Sequence, residues 1–307
     1  MLHTLLHQAA ADAAGHQSHP GGTLYVVATP IGNLADITLR AVHVLGLVQA
    51  VACEDTRVAA QLLNHLGLPK KPLLALHAHN EHSAAAGVLQ RLAAGEAVAY
   101  ISDAGTPAVS DPGAALVAQA AQAGYKVVPL PGASSALAAL CAAGDTLAQG
   151  FTFVGFLPAK GGERSGALAA VLASAQAQVL FEAPHRIKAL LLALAAGAPQ
   201  RPVTLCRELT KQFETIITRP AAELPAWQAA DANRERGEFV LVLHALPAVV
   251  AAADDLPPAT LHLLRVLLRE LPLKQAVALA AEATGTARNA LYARALTDRA
   301  TPADDGA

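Results

Sequence analysis

Aromatic residues make up only 4% of this 307-residue chain, with a single tryptophan and a single methionine. Little material is therefore left for base stacking, and the C-terminal stretch offers only Tyr292 for it. Charge is scarce too: 15% of residues are charged and the formal net charge is -2, so no global field marks a nucleic-acid binder and any such contact must come from a local patch. The three cysteines, Cys53, Cys141 and Cys206, are far apart and form no CxxC pair; all three read as small buried hydrophobes in a reducing compartment. No apolar run reaches membrane-spanning length, since the stretch from Phe239 to Ala253 is broken by His244 and Pro247. The N-terminus lacks the basic-then-apolar order of a signal peptide, and a soluble cytoplasmic protein is expected. There is no GxxxxGK[ST], no GxGxxG after the first strand, and Pro131-Gly132-Ala133-Ser134-Ser135 is not a GxSxG elbow. These absences argue against a P-loop nucleotidase, a dinucleotide site and an α/β hydrolase.

What is present is apolar: 53% of residues are hydrophobic, enough for two domains and a small appendage. Residues 1–21 are rich in Ala, His and Gln and read as a flexible extension, whose His3, His7, His16 and His19 offer at most adventitious metal binding. From Thr23 short apolar runs alternate with helical stretches. Strands are predicted at 23–28, 48–53, 72–76, 97–101 and 126–130, and helices at 37–46, 56–66, 81–94, 112–123 and 134–142. Such alternation predicts an α/β domain over 22–132 with a mostly parallel sheet covered on both faces. A second α/β domain, 133–246, is expected to hold a mixed sheet with strands at 151–156, 178–182, 202–206, 213–218 and 238–243 and helices near 163–174 and 184–195. Residues 245–258 read as a linker. Beyond them, 257–300 has apolar spacing for three short helices with a turn at Thr284-Gly285-Thr286, a pattern that suggests a helix-turn-helix.

Two turns broken by glycine and proline stand out. Thr29-Pro30-Ile31-Gly32-Asn33-Leu34 and Ser102-Asp103-Ala104-Gly105-Thr106-Pro107 each follow a strand-like run and precede a helix-like one. Ligands of open α/β sheets bind at such carboxyl ends of strands. Proline fixes φ and glycine tolerates positive φ, so both loops are stiff and bring backbone close to a ligand. Elsewhere, His77, His79, Glu81 and His82 cluster without metal-ligand spacing and read as a polar loop with Asn80 as a cap; no metal is expected.

Taken with these turns, further motifs carry a resemblance. They are Glu54-Asp55-Thr56-Arg57, Ser110-Asp111-Pro112-Gly113, Pro131-Gly132-Ala133-Ser134, Gly155-Phe156-Leu157-Pro158, Glu182-Ala183-Pro184-His185-Arg186, Arg207-Glu208-Leu209-Thr210-Lys211 and Gly237-Glu238-Phe239-Val240. In this order, over about residues 22 to 245, the chain resembles the tetrapyrrole methylase superfamily, the class III S-adenosylmethionine methyltransferases. Within it the chain is similar to the ribosomal small-subunit methyltransferase I family, which methylates a cytidine 2'-hydroxyl in 16S rRNA. The helical tail resembles that family's small C-terminal domain.

The resemblance implies two α/β domains with S-adenosyl-L-methionine folded into the cleft between them and held largely by backbone. Mapped by motif, Pro30, Ser102, Asp103, Ala104, Gly105, Thr106, Pro107 and Val109 would line one side. Ser134, Ser135, Ala136, Phe181 and Ala183 would come from the other, with Glu182 beside them. In-line methyl transfer to a hydroxyl benefits from a base or orienting acceptor, for which Asp55, Glu182 and His185 are the candidates. Asp55 reads equally as a helix cap. Arg57, Lys160, Arg164 and Arg186 could hold phosphates or be solvated surface charge. The implied partners are 16S rRNA in the 30S subunit and a second copy of the chain, with no membrane.

In 257–299, six basic residues (Arg265, Arg269, Lys274, Arg288, Arg294 and Arg299) face three acidic ones (Glu270, Glu282 and Asp298). This local excess suits an RNA phosphate surface, with Lys274 and Arg288 among the contacts; the alternative is a dimerisation or packing module. Two other readings stay open. A methyltransferase acting on a tetrapyrrole or another small molecule would use the same loops, and a nucleic-acid-binding regulator would use the tail and keep the cleft for a sensor ligand.

Overall fold

The computed structural model describes residues 2–77, 80–110, 112–247 and 256–300. Two compact units result, one ending at Leu246 and the other beginning after it.

In the first unit five apolar runs form a parallel sheet: β1 (Thr23–Val27), β2 (Ala50–Cys53), β3 (Leu73–Ala75), β4 (Val98–Ile101) and β5 (Lys126–Leu130), in the order β3-β2-β4-β1-β5. β1, β2 and β4 are buried along their whole length, because helices cover both faces. Side chains alternate between the faces. Tyr25, Val27, Val51 and Cys53 point to one core, with α2 (Leu39–Leu47) and α3 (Thr56–His65), while Leu24, Val26, Ala50 and Ala52 point to the other, with α4 (Glu81–Ala93) and α5 (Ala114–Gln122). From the neighbouring strands β1 and β4 the chain departs to opposite faces, and a crevice opens at their carboxyl ends.

Residues 1–20 depart from expectation. Instead of a loose extension they contain α1 (Leu2–Ala14), packed on α2. Leu6, Ala10 and Ala14 recur every four residues, and Ala10 and Ala14 are buried. The His7 ring nitrogen Nε2 bonds the Leu66 carbonyl at 2.8 Å. Alanine is weakly apolar, so this stripe is faint in sequence. Among the described residues no group of histidines, cysteines and carboxylates could hold a metal. His79, Asp111 and most of the expected linker lie outside the described residues.

Glu81 has a different task from any metal. Its Oε1 accepts the backbone N–H groups of Gly113 and Ala115, both at 2.8 Å, and so caps α5 from the next helix. Asn80 turns back instead of capping α4, accepting from His77 N at 2.8 Å and donating to the Ala75 carbonyl.

α6 (Ser135–Ala143), capped by the Ser134 hydroxyl, leads into a second sheet. Its strands β6 (Phe151–Phe156), β7 (Ala177–Glu182), β8 (Pro202–Arg207), β9 (Thr215–Pro220) and β10 (Phe239–Leu243) run in the order β6-β7-β10-β8-β9. Only β6 and β7 pair in parallel; the rest is antiparallel, the mixed sheet expected. α7 (Gly161–Ala173), α8 (Pro184–Gly197) and α9 (Leu224–Ala229) cover one face, and α6 covers the other. α9 had no sequence signal, since its six residues hold less than two turns. Cys53 and Cys206 are buried, and burial pushes both thiols up to about 12. Cys141, expected to be buried, is exposed on α6.

Among the described residues the second unit holds three helices, α10 (Pro258–Glu270), α11 (Leu273–Thr284) and α12 (Arg288–Ala300), around Leu264, Val277, Ala280, Ala290, Leu291 and Ala295. α11 ends at Gly285, whose φ of 68° is the left-handed conformation glycine permits. No helix among the described residues is long and apolar enough to cross a membrane.

Glu81→Ala is expected to destabilise the first unit by about 1–2 kcal/mol, because two N–H groups lose a charged acceptor. Urea unfolding of the variant against the parent checks this.

Candidate functional site

The loops after β1 and β4 are locked together. Thr29 and Gly105 exchange both backbone hydrogen bonds, at 2.9 and 3.1 Å, and the Thr29 hydroxyl donates to the Ser102 carbonyl. Gly105 carries a φ of 81°, and a Cβ there would stand 3.2 Å from Ile31. The Thr106 hydroxyl donates to the Ala133 carbonyl at 3.1 Å and ties the loop to the entry of α6.

On one side of this bridge a cavity of about 360 Å³ opens between the two sheets. Ile31 and Ala104 form its wall from the first sheet; Ser135, Phe156, Phe181, Glu182, Ala183, Leu209, Glu238 and Val240 are among its other lining residues. A smaller recess shares Ala104, Ser135 and Phe181 with it and adds Gly105, Thr106, Val109, Ser134 and Ala136. The sequence-derived set is thus largely gathered here. Ser102 and Pro107 are buried behind the loop, and Pro30 and Asp103 face the opposite side of the bridge. Phe156, Leu209, Glu238 and Val240 carried no assigned role in the sequence, although the motifs containing them were visible.

Each loop rim reaches across to a glycine of the opposite sheet's domain. Ser110 lies against Gly155 of β6, where a Cβ would come within 2.7 Å of its hydroxyl. In return Thr210 and Lys211 lie against Gly32, where a Cβ would meet the Lys211 side chain at 2.5 Å. Among the described residues, the non-glycine residues with positive φ are confined to these two rims: Ala108 and Ser110, Glu208 and Thr210. Such conformations cost about 1–3 kcal/mol each and persist where the surroundings over-determine them, often at ligand sites.

Glu208 organises the second rim. Its Oε1 accepts from Glu238 N and from Lys211 Nζ, both at 2.9 Å. Burial pushes its carboxyl up, but these hydrogen bonds and the Lys211 charge outweigh that and hold it below the usual carboxylate range. Lys211 also lies 3.3 Å from the exposed Glu238 carboxylate.

The three expected catalysts fare differently. Glu182 ends β7 with a side chain fully shielded from solvent and ion-paired to Arg164 at 3.0 Å and Arg186 at 2.7 Å. Those guanidiniums also donate to the Pro158 and Leu157 carbonyls. Glu182 therefore pins β7, α7 and α8 together, and neither it nor the two arginines is free for a proton or a phosphate. Asp55 caps α3 and pairs with Arg57 at 2.7 Å; the hydrogen bonds from Arg57 lower its carboxyl to about 2. So acidic a carboxyl is a poor base. His185 is exposed on α8 and lines neither cavity. Of the expected phosphate ligands, Arg57 and Lys160 stay exposed on the first unit, and Lys274 and Arg288 are exposed on the second.

A second groove of about 340 Å³ lies across the bridge, lined by Thr29, Pro30, Leu34, Val58, Gln61, Leu62, His65 and Asp103. Of its lining the sequence marked only Pro30 and Asp103, and those as donor contacts, because the α3 stripe of Val58, Gln61, Leu62 and His65 reads as an ordinary helix surface.

Glu182→Ala is expected to cost about 3 kcal/mol, since two partly shielded guanidiniums lose their counter-charge, read as a lowered urea midpoint. For Asp55 the folded value, about 2, lies below that of an unpaired aspartate. Its contribution to stability is therefore full above pH 4 and is lost as pH falls towards 2. The stability gap between the parent and Asp55→Ala should narrow over that interval in acid titrations.

Comparison with known proteins agrees with this geometry. Residues 23–225 match the family model for Tetrapyrrole (Corrin/Porphyrin) Methylases, and residues 254–299 match that of the RsmI C-terminal HTH domain. The chain is 48% identical over 276 residues to ribosomal RNA small subunit methyltransferase I of Neisseria meningitidis serogroup B, covering 90% of this chain and 94% of that one. It is 48% identical over 277 residues to the Pseudomonas aeruginosa protein of the same name, covering 90% and 97%. Among solved structures, Thermus thermophilus uroporphyrin-III-C-methyltransferase is 22% identical with a TM-score of 0.52, covering 73% of this chain and 94% of that one. A Thermus thermophilus uroporphyrin-III C-methyltransferase complexed with S-adenosyl homocysteine is 18% identical with a TM-score of 0.50, covering 72% and 97%. With two sheets, a cleft between them and a helical tail, the chain belongs to the ribosomal RNA small subunit methyltransferase I family of the tetrapyrrole methylases.

Proposed function

We propose that this protein transfers the methyl group of S-adenosyl-L-methionine to the 2'-hydroxyl of a cytidine in 16S rRNA of the small ribosomal subunit. The observation that carries the reading is the cavity between the sheets. It is rimmed by the backbone of 104–106 and 134–136 and walled by Ile31, Phe181, Leu209 and Val240. Its volume of about 360 Å³ falls in the usual range for small-ligand sites. Apolar walls with a few polar groups suit an adenosyl group, and backbone N–H groups at the rim suit a carboxylate.

When bound, S-adenosyl-L-methionine supplies an electrophilic methyl on a sulfonium. The chain's part is to hold and orient. The Thr29–Gly105 bridge fixes the loop backbone, the Thr106 bond to Ala133 fixes the recess, and the Glu182 ion pairs fix the end of β7. Positioning of this kind accounts for much of the rate of an in-line transfer. Exposed Lys160, Lys274 and Arg288 provide cations for RNA phosphates. The partner is the 30S subunit in the cytoplasm, and the active assembly is a homodimer, which light scattering on the purified protein checks.

The test is methyl transfer from labelled S-adenosyl-L-methionine to purified 30S subunits, with nuclease mapping of the product. Label on one cytidine ribose is expected. Donor binding without label on 30S, free 16S rRNA or assembly intermediates would contradict the reading and favour a small-molecule acceptor. Gly105→Val, placing a branched side chain at positive φ beside Ile31, should abolish donor binding in calorimetry.

A further inference from the structure

An enzyme that methylates one nucleotide must hold the strand around it, and few side chains of this chain can grip a base. Two phenylalanines nevertheless stand open to solvent at the cleft. Phe156 is 55% exposed and Phe213 is 68% exposed, the highest value for a large apolar side chain among the described residues. We propose that Phe156 and Phe213 are base-stacking platforms that hold a single-stranded segment of the rRNA along one end of the second sheet, across the mouth of the donor cavity. This rests on the rRNA methyltransferase reading above and deepens it by placing the acceptor strand.

Strand register puts the two rings at opposite ends of one row. Phe156 lies beside Phe181 of β7, Phe181 beside Val240 of β10, Val240 beside Cys206 of β8, and Cys206 beside Ile216 of β9. Phe213 stands three residues before Ile216, in the turn that joins β8 to β9. From the β6 edge to the β9 edge the row crosses four strand spacings, about 19 Å, a span suited to a few nucleotides. Leu209 and Glu238 belong to the strand ends in between, and together with Phe156 they line the donor cavity itself. A ribose held between the platforms therefore faces the donor in the same cavity.

Local structure presents both rings deliberately. The pairing of β6 with β7 shifts register between Phe153 and Gly155. Strict alternation would send Phe156 to the face of Val154, which packs with α7 and α8. The bulge turns it to the cleft face instead, where its ring meets Phe181 edge-on at 5.6 Å. Phe213 is carried by a closed turn. Glu214 N donates to the Lys211 carbonyl at 3.1 Å, Thr210 N donates to the Glu214 carboxylate at 2.6 Å, and Arg207 donates to the Phe213 carbonyl at 3.2 Å. A platform fixed before binding loses little freedom when a base stacks on it. Lys160, four residues beyond Phe156, and Arg236, whose carbonyl accepts from Arg207, are exposed near the two ends for the phosphates between the bases.

The readout is binding of purified 30S subunits in the absence of donor. Phe156→Ala and Phe213→Ala are each expected to weaken it by about tenfold, and tyrosine at either position is expected to return it to within about twofold of the parent, because any aromatic face can stack. Parent-like binding by both alanine variants would overturn the proposal. So would a loss that tyrosine does not restore, which would make the two side chains structural. Light scattering on Phe213→Ala supplies a further check: a dimer that falls apart would assign the exposed ring to a contact between two copies and overturn the stacking role. In all these cases a parent protein that labels a cytidine keeps the methylation reading, whereas a parent that labels none removes that reading itself.

Discussion

Two backbone hydrogen bonds between Thr29 and Gly105 set the geometry on which the site depends. They join loops that end neighbouring strands of a parallel sheet, at the place where the chain leaves those strands towards opposite faces. Backbone partners make the joint independent of side-chain rotamers, and glycine is required at 105 because its φ of 81° is one that other residues resist. The alternation of a short β-bridge then sends Ile31 and Ala104 one way and Pro30 and Asp103 the other.

The width of the cleft between the sheets depends on contacts made across it. Gly155 accommodates Ser110, and Gly32 accommodates Thr210 and Lys211, so each domain holds the other's strained rim. Ile31 and Leu209 share one apolar cluster with α6 and the inner face of the second sheet, which makes the floor of the cleft continuous with a core. Glu182 stands at the edge of this floor. A carboxylate without solvent exposure is sustained there by two guanidiniums, and its position at a strand end reflects support for the site.

Much of this was legible in the chain. Strands such as Val98–Ile101 and Phe239–Leu243 are fully buried, and buried strands announce themselves as unbroken apolar runs. Helix starts at Thr56 and Ser135 follow a capping Asp55 and Ser134. The gathering of Ala104, Ser135 and Phe181 around one cavity was anticipated through the ordered motifs of a known family, since no local pattern places residues so far apart together. What escaped notice depends on long-range burial. The alanine stripe of α1 is buried only because α2 covers it, and Cys141 is exposed although cysteine is usually buried. Glu81 caps a helix that begins more than thirty residues later. Glu182 and Asp103 are both acids at strand ends, and only their surroundings separate a buried ion pair from an exposed carboxylate that accepts from Asp55 N.

The most direct measurement is a crystal structure of the protein with S-adenosylhomocysteine. Adenosyl density between Ile31, Phe181, Leu209 and Val240 is the expected result. Density instead in the groove between Leu34, Gln61 and His65 would contradict the assignment of the cavity between the sheets to the donor.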